Sequence, residues 1–241
     1  MSEGRFLVIV PTYNEKDNLP RKAPTILAQD ERIDVLVVDD ASPDGTGDLA
    51  DEMASQEPRV HVLHRTSKDG LGKAYLAGFA WALERDYELI FEMDADISHP
   101  SDALPSLIAA AEHYDFVIGS RYVDGRVTVS NWPMSRLLVS YFGSFYARTI
   151  TRMPVRDATG GLNCWHRRVL KSVQLDRVRS NGYAFQIELK FRAWCKGFTF
   201  TEVPILFTER DSGESKMSKR IVREAVWRVW WLKFQQVFRR L

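Results

Sequence analysis

Five short apolar runs rich in β-branched residues, at residues 6–10, 35–38, 60–63, 89–93 and 116–118, are each followed by turn residues and then by a helical pattern. That alternation argues for an α/β fold built on a mostly parallel sheet, covered by helices on both faces, with ligands at the carboxyl ends of the strands. Helices are expected at residues 18–28, 46–55, 72–84 and 101–113. The second half changes character: helical patterns at 135–151, at 184–195 and from 219 onward surround a β segment expected at 198–207. No internal repeat or low-complexity linker divides the chain, so residues 1–218 read as one domain and residues 219–241 as an appended amphipathic helix. With 241 residues, 45% of them hydrophobic and 12% aromatic, the chain can bury a sizeable core, which excludes disorder.

The fourth run ends in Glu92-Met93-Asp94-Ala95-Asp96. Residues i and i+2 of an extended chain project to the same side, so Asp94 and Asp96 can converge on one hard cation, Mg2+ or Mn2+, that bridges to a diphosphate. A solvated turn is the ordinary alternative for such a pair taken alone. The first run leads into Pro11-Thr12-Tyr13-Asn14-Glu15 and the second into Asp39-Asp40-Ala41-Ser42-Pro43-Asp44-Gly45-Thr46, at the same end of the sheet. An aromatic ring among carboxylates at that edge can stack on a base and accept hydrogen bonds from base and ribose. Residues 40–46 also read as a turn with Thr46 capping a helix, which leaves the pairing of Asp39 with Asp40 unexplained. No G-x-G-x-x-G follows the first run and no Walker A sequence is present, so the dinucleotide-fold and P-loop readings lose their support.

Cys164 and Cys195 show no metal-ligand spacing and fit a reduced interior, which excludes a disulfide-rich secreted scaffold and makes the cytoplasm the expected compartment. No signal-like segment opens the chain, and no apolar stretch reaches spanning length. Charge is unevenly spread. Residues 216–241 hold eight cations against the single Glu224, a net +7, so within a chain of net +1 the preceding 215 residues carry −6. A basic tail on an acidic body points to an anionic partner, either nucleic acid or a membrane surface.

In their order and spacing, a set of motifs covering nearly the whole chain resembles the family 2 glycosyltransferases of GT-A fold, and within them the polyprenol monophosphate mannose synthases, also called dolichol-phosphate mannose synthases. The motifs are P-T-Y-N-E at 11–15, D-D-A-S-P-D-G-T at 39–46, G-L-G-K-A at 70–74, D-A-D-I-S-H-P at 94–100, G-S-R-Y at 119–122, D-A-T-G-G at 157–161, G-Y-A-F-Q-I-E at 182–188 and E-R-D-S-G-E-S-K-M at 209–217. The resemblance implies a Rossmann-like GT-A sheet, GDP-mannose as donor and a polyprenyl phosphate as acceptor, with a β-linked product formed by inversion. By position it implies nucleoside contacts from Pro11, Tyr13, Glu15, Val38 and Asp40, with Asp39 an additional one. Asp94, Ala95 and Asp96 would also meet the nucleotide sugar, Asp94, Asp96 and Ser98 would form the metal group, and Arg210 and Lys216 would close over the donor phosphates. Arg121, Arg136 and Ser140 match the acceptor-phosphate positions, and Asp94, Asp96 and Arg121 the catalytic ones. Tyr141 departs from the pattern, since relatives often place a second basic residue there. A family 2 transferase using UDP-glucose or another nucleotide sugar remains the alternative among enzymes.

The last helix bears on location. Trp227, Trp230, Trp231, Phe234, Val237, Phe238 and Leu241 fall on one arc at helical period, flanked by Arg228, Lys233, Arg239 and Arg240. Such a helix suits the headgroup region of a membrane, with residues 135–151 as a second contact, whereas core packing is the ordinary alternative. Many relatives continue into transmembrane helices, so this chain is expected to be peripheral or to rely on a separate membrane protein. Acidic residues at the expected pocket, on a body of −6, argue against the rival reading of a nucleic-acid binder.

Overall fold

Side chains of successive strand residues point to opposite faces, and strand β1 (Arg5–Thr12) divides its apolar residues between two cores accordingly. Phe6, Val8 and Val10 enter one layer, while Leu7 and Ile9 enter the other. The computed structural model of the chain describes residues 4–96, 98–123, 127–130, 132–208 and 219–238. After β1 come α1 (Leu19–Leu27), β2 (Ile33–Asp39), α2 (Thr46–Gln56), β3 (Val60–His64), α3 (Leu71–Leu83) and β4 (Tyr87–Glu92). A 3-10 turn at Ser101–Ala103 leads into α4 (Leu104–Ala111), followed by β5 (Phe116–Ser120), β6 (Val129–Ser130) and α5 (Met134–Thr151). The chain continues through β7 (Asn163–His166), α6 (Arg167–Ser172), α7 (Gly182–Cys195), β8 (Phe200–Pro204), β9 (Phe207–Thr208) and α8 (Lys219–Val237).

The main sheet has the order β3-β2-β1-β4-β7-β5-β8, and helices cover both of its faces. The five expected strands and the expected helices are present with boundaries displaced by at most two residues, except that the helix expected at 101–113 opens with the 3-10 turn and becomes α-helical only at Leu104. Strands β6 and β7 and the short helix α6 were not anticipated. β7 runs antiparallel between β4 and β5, with Cys164 opposite Phe91 on one side and Val117 on the other. Its four residues carry no alternation of their own, so ladder hydrogen bonds to two distant strands define it. The β segment expected at 198–207 splits into β8 and β9, and β9 leaves the main sheet to pair with β6.

Gly72 lets α3 approach the segment before α7 closely. A Cβ there would lie 2.8 Å from the Ser180 carbonyl oxygen, and the Gly72 amide instead donates to Asn181 Oδ1 at 3.1 Å.

α8 packs on α7 and α5 through Val229 and Leu232, which are 1% and 0% exposed. Its aromatic arc faces away from the protein: Trp227 is 73% and Trp230 53% exposed, and Phe234, Val237 and Phe238 are also exposed. Core packing therefore does not account for that arc. Leu241, Arg239 and Arg240 lie outside the described residues. Among the described residues no helix is long and apolar enough to cross a membrane.

Candidate active site

The carboxyl ends of β1, β2 and β4 lie side by side, and the loops that follow are laced together before any ligand is considered. Asn14 N donates to Ser42 Oγ at 3.1 Å and Glu15 N to Thr46 Oγ1 at 3.0 Å. Asp39 organises the second loop. It accepts from Thr12 Oγ1 at 3.0 Å, Ser42 N at 3.0 Å and Ser42 Oγ at 2.5 Å. Those bonds brace Ala41 in the left-handed region at φ 54°, a conformation that costs a non-glycine residue energy and persists only under such bracing. Asp39 is 2% exposed with both oxygens engaged, so the structure gives it a loop-shaping part beside the additional nucleoside contact expected of it.

Asp40 is buried and ion-paired with Arg65. Burial raises its carboxyl above the ordinary range, and the neighbouring Arg65 charge opposes that rise. Lys68 stands over the Tyr13 ring with Nζ 3.5 Å from the centroid. Pro11 lies opposite Val38 in the β1–β2 register; because Val38 is fully buried, it would meet a ligand through its backbone. Glu15 Oε2 accepts from Asn18 Nδ2 at 2.7 Å.

At the end of β4, Asp94 and the more deeply buried Asp96 share one edge, with the buried Ala95 between them. The Asp94 amide donates to His99 Nδ1 at 3.1 Å, which leaves the ring proton on Nε2. Burial lowers the His99 pKa, in keeping with a neutral ring, so its 3.7 Å approach to the Asp94 carboxylate is not a salt bridge. Tyr75 Oη donates to Asp94 Oδ1 at 3.3 Å. Ser98 donates to Asp96 Oδ1 through its amide at 3.0 Å and through its hydroxyl. Ser98 thus orients Asp96, its partner in the metal group that the resemblance implies. Behind this loop, Lys22 of α1 is buried and donates to the His99 carbonyl; burial lowers its pKa to about 8 against the attraction of Asp96 and Asp94.

Among the described residues no three His, Cys, Asp or Glu side chains converge as a metal cage. Two aspartates at an open edge fit a hard divalent cation that takes its remaining oxygen ligands from a diphosphate and water.

The cationic residues lie next to this edge. Arg121 is buried, and its Nε and Nη2 donate to the two oxygens of Asp157 at 2.8 and 2.7 Å, with Nη2 also 3.0 Å from Thr159 Oγ1. Burial works against both charges, yet the pairing holds the Asp157 carboxyl below, and the Arg121 guanidinium above, their usual ranges. The structure thus ties much of Arg121's donor capacity to Asp157, which limits the direct phosphate contact expected of it and fixes it as a buried positive charge at the site. Arg136 and Ser140 are brought together on one face of α5: Arg136 stacks on Trp132 at 4.3 Å, and Tyr122 Oη donates to Ser140 Oγ at 2.8 Å. Edge-on ring contacts run from Trp132 to Phe207 at 5.3 Å and from Phe207 to His99 at 5.2 Å, joining this cluster to the loop that carries Asp94. Arg210 and Lys216 lie outside the described residues.

Asp157, Lys22, His99 and Trp132 were not singled out from the sequence. Lys22 had a readable signal, since Leu19, Lys22, Ala23 and Ile26 share the buried face of a helix. Asp157 and His99 stand inside motifs, but their partners are distant in sequence. Replacing Asp157 by alanine leaves Arg121 buried and unpaired, and is expected to cost roughly 3–5 kcal/mol of stability. Urea denaturation measures this; an unchanged midpoint would show that the pair is not needed for the fold.

A family model described as Glycosyl transferase family 2 matches residues 7–173. The undecaprenyl-phosphate mannosyltransferase of Micrococcus luteus is 51% identical over 222 residues, which cover 92% of this chain and 91% of the relative. The polyprenol monophosphomannose synthase of Mycolicibacterium smegmatis is 51% identical over 227 residues, 93% of this chain and 85% of the relative. Among solved structures, glucosyl-3-phosphoglycerate synthase from Mycobacterium tuberculosis, in complex with Mn2+ and UDP-glucose, superposes with a TM-score of 0.67 at 16% identity, covering 96% of this chain and 80% of that one. At that identity the likeness is one of fold.

Proposed function

The chain belongs to glycosyl transferase family 2, and on that premise we propose that it is an inverting mannosyltransferase that moves mannose from GDP-mannose to a polyprenyl phosphate. The observation that carries the reading is adjacency. One sheet edge holds a loop suited to a nucleoside and a pair of carboxylates, and three ring contacts away lies a cationic cluster at the foot of an exposed apolar helix face. The mannosyl and polyprenol names of two relatives at 51% identity support the same donor sugar and acceptor class.

In this reading Tyr13, Glu15 and Asp40, with Pro11 and the Val38 backbone, receive the guanosine, and Asp94 and Asp96 face its diphosphate with Ala95 between them. These two aspartates would hold Mg2+ or Mn2+, which supplies charge neutralisation to the departing diphosphate. Arg121, Arg136 and Ser140 place the acceptor. Ser140 accepts from Tyr122, so its own hydroxyl proton is available to an anion. A phosphate monoester with a second pKa of about 6 is already an anion at neutral pH, so no side chain has to remove a proton. A phosphate oxygen forms the bond to the anomeric carbon from one side as the bond to GDP breaks on the other. An α-linked donor then gives a β-linked product.

The lipid acceptor also gives a use to the exposed faces of α5 and α8. Met134 and Phe142 of α5 are 67% and 58% exposed, on a helix that packs against α8. We place both faces in the headgroup region of the cytoplasmic leaflet, as a peripheral attachment. Two of the flanking cations also bond to the protein. Arg228 donates to the Arg179 carbonyl at 3.1 Å, and Lys233 to the Thr151 carbonyl at 3.4 Å and to Gln236 Oε1 at 2.8 Å. These two cations tether the helix to the protein.

The purified chain, given radiolabelled GDP-mannose, UDP-glucose or other nucleotide sugars with polyprenyl phosphate and MgCl2, is expected to yield solvent-extractable label from GDP-mannose. Label from UDP-glucose alone would replace the donor, and none from any donor would overturn the reading.

A further inference from the structure

Trp132 stands between the two arginines of the acceptor cluster. Its ring carries the Arg136 guanidinium at 4.3 Å and lies 5.5 Å from that of Arg121, with the Phe207 ring edge-on against it. The indole Nε1 is buried and finds no hydrogen-bond acceptor among the described residues. A buried N–H without a partner forfeits the bond it would make to water, and such groups are rare unless a ligand completes them. Here the surroundings are cationic, so the group that completes it is an anion with acceptor oxygens. On the same helix as Arg136 and one turn on, Ser140 accepts from Tyr122, which leaves its own hydroxyl proton to donate.

We propose that Trp132 is a further acceptor-binding residue, whose indole N–H donates to the phosphate of the lipid acceptor while its ring face holds Arg136 in place. The proposal rests on the reading of the acceptor as a polyprenyl phosphate. It adds a neutral, directional donor to the charged ones. A guanidinium on a flexible stem attracts an anion from many directions, whereas an indole wedged against Phe207 fixes where one oxygen must sit. That oxygen's position matters because in-line attack requires the phosphate opposite the departing diphosphate. The Phe207–His99 contact links the Trp132 ring to the loop that carries Asp94, so the two halves of the reaction share one rigid wall.

Two variants separate the N–H from the ring. Trp132→Phe keeps an aromatic face but loses the N–H, and incorporation of 3-benzothienylalanine at position 132 keeps both the size and the face of the bicycle while sulfur replaces the N–H. Binding of farnesyl phosphate and of farnesol is measured by calorimetry, beside mannosyl transfer and GDP-mannose affinity, on proteins whose thermal unfolding matches the unsubstituted chain. The expected result is an about ten- to a hundredfold loss of farnesyl phosphate affinity and of acceptor kcat/KM in both variants, the worth of one hydrogen bond to a charged group. Farnesol binding and GDP-mannose affinity should not change. Wild-type acceptor affinity in the benzothienyl protein overturns the proposal, and if Trp132→Phe alone is weakened, the ring and not the N–H is what matters. If the unsubstituted chain binds farnesyl phosphate but transfers no mannose, the functional reading fails while the affinities still decide the role of Trp132. If it binds no lipid phosphate, both fall.

Discussion

Asp96→Asn and Asp94→Ala are each expected to remove nearly all metal-dependent transfer while leaving the fold intact. Both side chains lie in the loop past the end of β4, so neither substitution breaks a strand ladder. Asparagine at position 96 keeps an oxygen that can accept from the Ser98 amide and hydroxyl, so the loop survives and only the charge is removed. A divalent ion at a departing diphosphate supplies several kcal/mol, and about 4 kcal/mol corresponds to roughly a thousandfold in rate. Initial rates across MgCl2 and MnCl2 titrations measure the effect. Full turnover by both variants at ordinary magnesium concentrations would remove these aspartates from the metal site.

The second large effect is expected at the membrane. Changing Trp227, Trp230 and Trp231 together to serine should abolish most sedimentation with liposomes in a protein that remains folded. Folding should persist because the helix is held by Val229 and Leu232, with Arg228 and Lys233 bonded to backbone carbonyls, and the indoles face away from that contact. Fully enclosed aromatic side chains bury roughly 150–250 Å², and half of that at about 25 cal/mol per Å² is about 2 kcal/mol for each indole. Losing three should therefore weaken partitioning more than about a hundredfold. Binding should also rise with anionic lipid, at about 1 kcal/mol for each cation near the surface, but less steeply than eight tail cations imply, because Arg228 and Lys233 are engaged by the protein. If the triple variant unfolds, the arc is structural after all. If it folds and still sediments, the α5 face around Met134 and Phe142 is the anchor; if the unsubstituted chain ignores liposomes, a separate membrane protein is the better candidate for those faces.

Much of the architecture follows from the sequence by itself, because it depends on short-range periodicity. A run such as Val35-Leu36-Val37-Val38 is buried on both faces wherever it occurs in a doubly covered sheet, and an i, i+3, i+4 pattern selects a helix without knowledge of its neighbour. The D-x-D pair was legible as two carboxylates next to an apolar run, but β4 ends at Glu92, so the loop and not strand alternation sets how Asp94 and Asp96 stand to each other. Sequence also marked the aromatic arc of α8, though not the direction it faces. Only tertiary structure could decide that direction: Val229 and Leu232 meet α5 and α7, and their contact turns the tryptophans outward. β7 became a strand because β4 and β5 offer it ladders on both sides, which four residues cannot announce alone. Asp39 and Arg121 carry charges whose task depends on what stands opposite. Thr12 and Ser42 draw Asp39 into its loop, and Asp157, 36 residues away, claims the fork of Arg121. A side chain's chemical type is local information, but its partner is set by how distant segments pack, and in a buried site the partner decides which ligand the group can still reach.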